Sequence, residues 1–361
     1  MNIALINWNS FDKVTGSRVY MVNLALSLKE KGDNVCILAS GEILPRYKNS
    51  GVDFYIMDKN DFSEVEFMKF AKFCLKMVDK LKINIIHAHY NHAFIVANII
   101  KKMKNIPFFV TFHGCEYEWL GIKNMKMSCK ESLDNANNAF YSSKELVEDF
   151  KEKTDIILDD RYVYIPNAVM PVIINKNDIC SCKKTILFVG RLSEEKGISF
   201  LFEAIKWFKW REDIEFHIVG TGHLNEWCKR FIMQNNLKDI IKMIGEVSKE
   251  EVEKRMYDSY MVVIPSIHES MPTVLLEAMI VGKPILSTNA YGVENAITNM
   301  REGIVIEKGN INELILGINM LLNNPQLCAN LGYNAKIKAE KEFLWSIVTD
   351  KIKNYYEIAI K

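Results

Sequence analysis

The sequence predicts an α/β protein built from two doubly wound parallel sheets, and three observations carry that reading. Short, almost uninterrupted apolar runs recur along the chain: NIALIN, NVCILAS, NIIHAHY and PFFVTF, then TILFVG, IEFHIVG, MVVIP and PILST. Runs of this length without polar alternation suit strands buried on both faces, as in parallel sheets. Stretches with helical spacing of apolar residues separate them, which is βαβ wiring. Residues from about 167 to 184 are mixed, polar and aperiodic, and they divide the series in two as a linker does.

With 361 residues the chain is long enough for two domains that each bury a core. Hydrophobic residues at 49% and charged residues at 25% place it among ordinary globular proteins. A formal net charge of +1 removes any global argument for nucleic acid. No apolar run reaches the length of a membrane span and no signal peptide precedes MNIALIN, so a cytoplasmic location is expected. The eight cysteines are scattered without paired zinc spacing, and Cys180 and Cys182 are poorly placed to bond each other. Reduced thiols fit that pattern.

In the first half, NIALINW reads as a buried strand and Asn9 to Ser17 as the loop after it. TGSRVYMVNLALSLKEKG then has helical periodicity closed by Gly32. A strand, a glycine-bearing loop and a long helix bring backbone amides near an anion. Gly16 stands alone where dinucleotide folds use three glycines, so a redox Rossmann site is a weak reading, and a simple tight turn accounts for Gly16 equally well. NVCILAS and DFYIM continue as strands. EVEFMKFAKFCLKMVDKLK follows as a helix with Phe67, Phe70, Cys74, Met77 and Leu81 along one side. Its lysines (Lys69, Lys72, Lys76, Lys80 and Lys82) suit either a solvated face or an anionic membrane surface, and KNMKMSCK adds charge nearby.

INIIHAHYNH sets His87, His89 and His92 close to a His-x-His-x-Asp-His metal pattern. Asn91 stands where that pattern needs Asp, and further ligands are not evident downstream. IPFFVTFHGCE ends a strand at His113 beside Gly114, a position facing the ligand crevice of such a sheet. AFYSSKELVEDF is a strand entering a serine-capped helix, and VYIPNAV closes the half with Asn167 shaping the turn.

KTILFVGRLSEEKGISFLFEAIKWF opens the second half as strand, loop and helix. Arg191 and Lys196 flank the loop, and both cations point beyond the strand end unless Glu194 and Glu195 claim them as surface pairs. IEFHIVGTGHLNEW repeats the theme with Gly220 and Gly222 at its turn. DIIKMIGEVSKEEVEKRMYDSYMVVIPS adds a strand, a helix capped by Ser248 and a further strand. PSIHESMPTVLLEAMIVGKPILSTNAYG then holds a helix between two strands, with a proline suited to the helix's first turn.

Two carboxylates mark that last stretch, Glu269 and Glu277. Retaining glycosidases need carboxyl groups about 5–5.5 Å apart and inverting ones about 6.5–9.5 Å. Eight helical positions alone rise about 12 Å. The two acids therefore read as separate contacts along one elongated ligand, with the free N–H groups of the helix start between them as a phosphate seat. A nucleoside diphosphate sugar has that layout. REGIVIE is a last strand, and helices fill the remainder to Lys361.

HESMPTVLLEAMIVGKPILST resembles the signature of the family 4 retaining glycosyltransferases, Glu, seven residues, then Glu. The likeness covers nearly the whole chain. Gly190-Arg191-Leu192 followed by Lys196-Gly197, the His-x-His of the fourth strand, and Pro166-Asn167-Ala168-Val169 are similar to family motifs in the expected order. Four positions depart: Thr15-Gly16 replaces a Gly-Gly pair, Ala168 replaces a glycine, Asn295 stands for a usual Glu, and Tyr291 for a Gly.

The resemblance implies the GT-B fold, two Rossmann-like domains facing a central cleft. Residues 1–170 would bind the acceptor, 180–343 the nucleotide sugar, and the helix at 344–361 would cross back to the first domain. It implies retaining transfer of a hexosyl unit from a nucleoside diphosphate sugar, foremost a UDP-sugar, in surface polysaccharide or glycoconjugate synthesis. The acceptor would be a glycan or lipid-linked saccharide, which admits peripheral contact with the inner face of a membrane. No Asp-x-Asp motif occurs, so neither a metal nor a cofactor is expected. Catalytic roles fall to Glu269 on the sugar hydroxyls, His113 beside the leaving phosphate, and Arg191 and Lys196 on the diphosphate. Gly16, Gly220, Met271, Pro272, Thr273 and Val274 would contact substrate, with Glu277 on the ribose. A nucleotide-sugar epimerase of the same fold, or a non-catalytic partner of an active transferase, would carry similar motifs.

Overall fold

A computed structural model of the chain describes residues 1–59, 61, 63–114, 123–154, 156–172 and 183–361, with the backbone alone at 123–126, 146, 153 and 154. The chain divides into two units, Met1–Asn167 with Trp345–Lys361, and Ala168–Leu344. Ala168 and Val169 are buried, and the Val169 N–H donates to Phe343 O at 2.8 Å. That bond ties the start of the linker stretch into the second unit. Residues 173–182, including Cys180 and Cys182, lie outside the described residues; Cys36, Cys74, Cys129, Cys228 and Cys328 are free and buried.

The first unit runs β1 (Asn2–Asn7), α1 (Gly16–Glu30), β2 (Asn34–Ser40), α2 (Pro45–Lys48), β3 (Asp53–Met57), α3 (Glu64–Leu81), β4 (Ile85–His89) and α4 (Asn91–Lys104). It continues with β5 (Phe108–Phe112), α5 (Lys123–Asn135), β6 (Asn138–Tyr141), α6 (Lys144–Thr154) and β7 (Tyr162–Tyr164). The strands form one parallel sheet in the order β3-β2-β1-β4-β5-β6-β7. Every residue of β4 and β5 is buried, which is why both read as apolar runs broken only by His87 and His89 in β4 and Thr111 in β5.

Ser63 accepts the Glu66 N–H at 3.3 Å to start α3, and Lys82 ends it in the left-handed conformation. Phe70, Cys74 and Met77 of α3 face the core, whereas Lys72, Lys76 and Lys80 are exposed. The C-terminal helix, Trp345–Ala359, belongs to this unit and buries Trp345, Val348, Ile352 and Tyr356. Burial of side chains of this size contributes about 1.5–3 kcal/mol each. Ion pairs from Lys353 to Asp33 at 2.7 Å and from Lys31 to Asp350 at 2.6 Å flank it.

The second unit runs β8 (Lys184–Val189), α7 (Ile198–Ile205), β9 (Ile214–Val219), α8 (Asn225–Gln234), β10 (Ile241–Gly245), α9 (Lys249–Asp258) and β11 (Met261–Ile264). Then come α10 (Thr273–Val281), β12 (Ile285–Thr288), α11 (Val293–Ala296), β13 (Ile304–Ile306), α12 (Ile311–Asn323) and α13 (Pro325–Glu342). Its parallel sheet has the order β10-β9-β8-β11-β12-β13. Ser248 caps α9 by accepting the Glu251 N–H at 3.2 Å, as its position predicts.

Three boundaries differ from the sequence reading. Gly16 is the first residue of α1 rather than part of a loop reaching Ser17. Pro272 caps α10 with an extended ψ of 123°, so the first helical residue is Thr273. The helix after Gly197 stops at Ile205 and tightens into a 3-10 turn over Lys206–Phe208, where Trp207 swings out to solvent.

Candidate active site

In a doubly wound sheet the strand order reverses at one place, and the loops leaving the two flanking strands splay apart into a crevice. In the second unit that place lies between β8 and β11. The loop after β8 carries Arg191 and Lys196, and the loop after β11 carries Glu269. Both loops are locked by glycines and backbone bonds. Gly197 has φ +65°, and a Cβ there would fall 1.8 Å from Pro265 O. The N–H groups of Ile267 and His268 both donate to Glu195 O, at 2.8 and 3.2 Å. A Cβ on Gly220 would fall 2.0 Å from Gly190 O, so close packing alone requires that glycine.

Lys196 Nζ and Glu269 Oε1 are ion-paired, and Ser266 Oγ donates to the same carboxylate oxygen at 2.9 Å. Arg191 is exposed, and its guanidinium pairs with no carboxylate among the described residues. Glu194 pairs instead with His223 at 2.5 Å, and Glu195 accepts from Ser193 Oγ at 3.4 Å. Surface pairing within the loop therefore claims neither cation.

The start of α10 has no side-chain cap and no acidic residue in its first turn. Leu275 N–H turns back to Pro272 O at 3.1 Å, while the N–H groups of Thr273 and Val274 meet no acceptor among the described residues. Free amides and a positive dipole end favour an anion there. Thr273 and Val274 are half-buried, whereas the Met271 side chain is buried among core residues. One helical turn on, the Glu277 carboxyl engages no donor among the described residues. Burial raises its pKa above the ordinary value, Lys249 pulls it back, and Glu253 adds to the rise.

The first unit has its own reversal, between β1 and β4. Gly16 opens α1 beyond the β1 loop, and a Cβ at Gly16 would meet nothing within 4 Å. Open space, not a strained turn, surrounds it. Tyr90 follows β4 with φ 72° and ψ 155°, a region that side chains other than glycine rarely occupy. Its hydroxyl donates to Ser17 Oγ in the first turn of α1, and its ring lies 5.4 Å from that of His113.

His87, His89 and His113 form a stack. Ring centroids are 4.4 Å apart for His87 and His89, and 5.1 Å for His89 and His113. His89 Nδ1 contacts His113 Nε2 at 2.8 Å. His87 has both nitrogens committed, to the Tyr356 hydroxyl at 2.5 Å and Thr111 Oγ1 at 2.6 Å. Desolvation by burial depresses all three, with His87 and His113 each held down to about 3, and neighbouring imidazoles add to the effect at His87 and His89. A metal pattern needs open nitrogens, and His87 offers none. His92 lies away from the stack, 6.2 Å from the Trp8 ring.

The chain matches two family models, the glycosyltransferase family 4 model over residues 14–171 and the glycosyl transferases group 1 model over residues 170–338. An uncharacterised glycosyltransferase of Methanocaldococcus jannaschii is 30% identical over 288 residues, spanning 78% of this chain and 77% of that one. The chain belongs to the family 4 glycosyltransferases. A UDP-Gal:α-D-GlcNAc-diphosphoundecaprenol α-1,3-galactosyltransferase of Escherichia coli is 26% identical, covering 94% of this chain and 92% of its own length. Among solved structures, Anabaena HepE in complex with UDP superposes with a TM-score of 0.86 at 16% identity, covering 99% of this chain and 100% of that one. That likeness places the glycosyltransferase in the GT-B fold.

In this glycosyltransferase the second unit pairs Lys196 with Glu269, Arg191 shares the loop of Lys196, and Glu277 lies on the helix that begins at Thr273. Gly16 and His113 sit at the corresponding end of the first sheet. Gly220 answers a packing need and Met271 fills the core, so any contact of theirs with a ligand is a backbone contact. Tyr90 and Ser266 escape a reading of the sequence. Ser266 is one serine in a loop, and the Tyr90 backbone angle has no compositional signal.

Proposed function

We propose that the chain is a retaining, metal-independent hexosyltransferase that uses a UDP-sugar and a glycan or lipid-linked saccharide acceptor in surface polysaccharide or glycoconjugate synthesis. One observation carries the reading. At the reversal of the second sheet, Arg191 without a carboxylate partner among the described residues, an uncapped helix start, and a Glu277 that engages no donor among them belong to one unit. That is the charge layout of a diphosphate between a sugar and a ribose. Solved complexes of HepE with UDP-glucose and the galactosyltransferase's UDP-Gal support the donor class. The diphosphoundecaprenol acceptor of that relative supports a lipid-linked acceptor.

In this account Arg191, Lys196 and the amides of Thr273 and Val274 hold the diphosphate. Each fixed donor facing the growing charge contributes about 2.7–4 kcal/mol by analogy with oxyanion sites. Glu269 exchanges Lys196 for sugar hydroxyls, and Glu277 accepts from the ribose. Gly16 stands in open space that suits an acceptor, and His113 keeps the phosphate role that the family resemblance implies. The acceptor oxygen attacks the anomeric carbon on the face that the phosphate leaves. The sugar–phosphate bond breaks, and the acceptor proton passes to the departing phosphate oxygen.

No helix among the described residues is long and apolar enough to cross a membrane. The exposed Lys72, Lys76 and Lys80 of α3, none of them ion-paired among the described residues, offer a basic stripe for peripheral contact with anionic lipid. The test is incubation with UDP-hexoses and saccharide or lipid-linked acceptors, with and without a chelator, and assignment of the product anomer by NMR. Retention undiminished by chelation supports the proposal; inversion or a metal requirement overturns it.

A further inference from the structure

The carboxylate of Glu269 is held through one oxygen. Lys196 Nζ and Ser266 Oγ both bond Oε1, while Oε2 engages no donor among the described residues. A carboxylate only accepts and a hydroxyl has one proton to give, so Ser266 is the donor of its bond. The Glu269 side chain is 11% exposed, and its charge depends on these two partners more than on water.

The two partners are held very differently. Lys196 reaches Glu269 on a long flexible stem, and its side chain is 29% exposed. Ser266 is buried, and a single side-chain torsion aims its hydroxyl. Its carbonyl accepts from Thr288 Oγ1 at the end of β12, and Ser287 Oγ donates to Ile264 O at 3.3 Å. The next two residues, Ile267 and His268, are tied to Glu195 O. Lys196 is therefore free to swing aside, and Ser266 is not.

We propose that Ser266 is a positioning residue that keeps the Glu269 carboxylate in place when Lys196 lets go of it. The consequence at the ligand rests on the function proposed above. As Lys196 turns to the diphosphate, Ser266 retains Oε1 and leaves Oε2 for a sugar hydroxyl. Without Ser266, release of Lys196 strands a largely buried charge, and that cost falls on any ligand that draws the cation away.

The experiment uses the full chain and has a ligand-free arm and a nucleotide arm. Thermal melts compare Ser266→Ala in the wild type with Ser266→Ala in Lys196→Met, where the cation's departure is permanent. The loss of Tm should be about twice as large or more in Lys196→Met, because Glu269 then keeps neither partner. Failure of the double variant alone to fold is the extreme of that result. Equal losses in the two backgrounds, unfolding in both included, overturn the proposal. In the nucleotide arm, calorimetry should show the Kd of UDP rising about five- to tenfold in Ser266→Ala. The same change added to Glu269→Gln, which has no charge to strand, should leave the Kd level. A serine that served only the fold of its loop would weaken UDP equally in both backgrounds, and that outcome also overturns the proposal. A wild type that binds no UDP, with the melts as expected, would support Ser266 as the anchor of Glu269 and count against the nucleotide role of the site.

Discussion

The ammonium of Lys196 is ion-paired with the carboxylate of Glu269, joining the loop after β8 to the loop after β11 across 73 positions of sequence. The pair occupies both groups that the proposed function needs, one for phosphate and one for sugar. A donor must therefore separate them. Glu269→Gln releases Lys196 without changing side-chain volume, so UDP should bind more tightly while the transfer rate falls on the order of 10²–10³-fold. Calorimetry of UDP alongside kcat decides it; weaker UDP binding in the variant argues against a shared cation.

Glu277 offers a trade between stability and binding. Its folded pKa is raised by burial, so the folded state holds a proton that the unfolded chain has released. Its contribution to stability is complete below the unfolded value and declines as pH rises toward the folded one. Above the folded value, an ionised, half-buried carboxylate that engages no donor among the described residues is a net cost. Glu277→Gln should raise Tm at pH 7 and weaken nucleotide binding, because an amide accepts less strongly from ribose hydroxyls. Thermal melts with and without UDP read both effects, and a lower Tm would contradict the assignment.

Two glycines should behave in opposite ways. Gly16→Ala adds a methyl where nothing lies within 4 Å and favours the start of α1, so Tm should hold or rise slightly. If acceptor approaches that space, acceptor KM rises while UDP affinity stays level. Gly220→Ala drives a Cβ to 2.0 Å from Gly190 O at φ +124°, so Tm should fall by several degrees. Comparing melts and KM values for the two variants checks the contrast.

Much of this was legible before any coordinates. Strands buried on both faces announce themselves as apolar runs, and helices such as α3 show their buried stripe at the expected spacing. Arg191, Lys196, Glu269 and Glu277 stand out because charges at strand ends and helix starts are chemically conspicuous. What stayed hidden depends on contacts between distant segments or on backbone angles. The Lys196–Glu269 pair joins two loops whose approach only the parallel register of β8 and β11 creates. Tyr90 reads as an ordinary tyrosine, yet its φ of 72° and its bond to Ser17 hold the carboxyl end of β4 against α1. The four-residue helices α2 and α11 are too short to show a period.

The histidine stack predicts an acid-sensitive fold. His87 and His89 are fully buried, and burial depresses their folded pKa values, to about 3 for His87. The unfolded chain takes up protons below about pH 6.5 while the folded one does not. Stability is therefore complete above that value and falls as pH drops toward the folded pKa, by about 1.4 kcal/mol per pH unit for each such histidine. Urea midpoints between about pH 7 and pH 5 should fall steeply in the wild type and less so in His87→Gln. Equal slopes would show that other groups dominate.

The central claim is that the second unit grips the diphosphate of a nucleotide through Arg191, whose guanidinium pairs with no carboxylate among the described residues, and calorimetric titration of UDP into the wild type and Arg191→Ala tests it most directly. The account predicts one binding site in the wild type and an affinity lower by about tenfold or more in the variant, equivalent to about 1.4 kcal/mol. Equal affinity in the two proteins, or no wild-type binding of any nucleoside diphosphate, would contradict it.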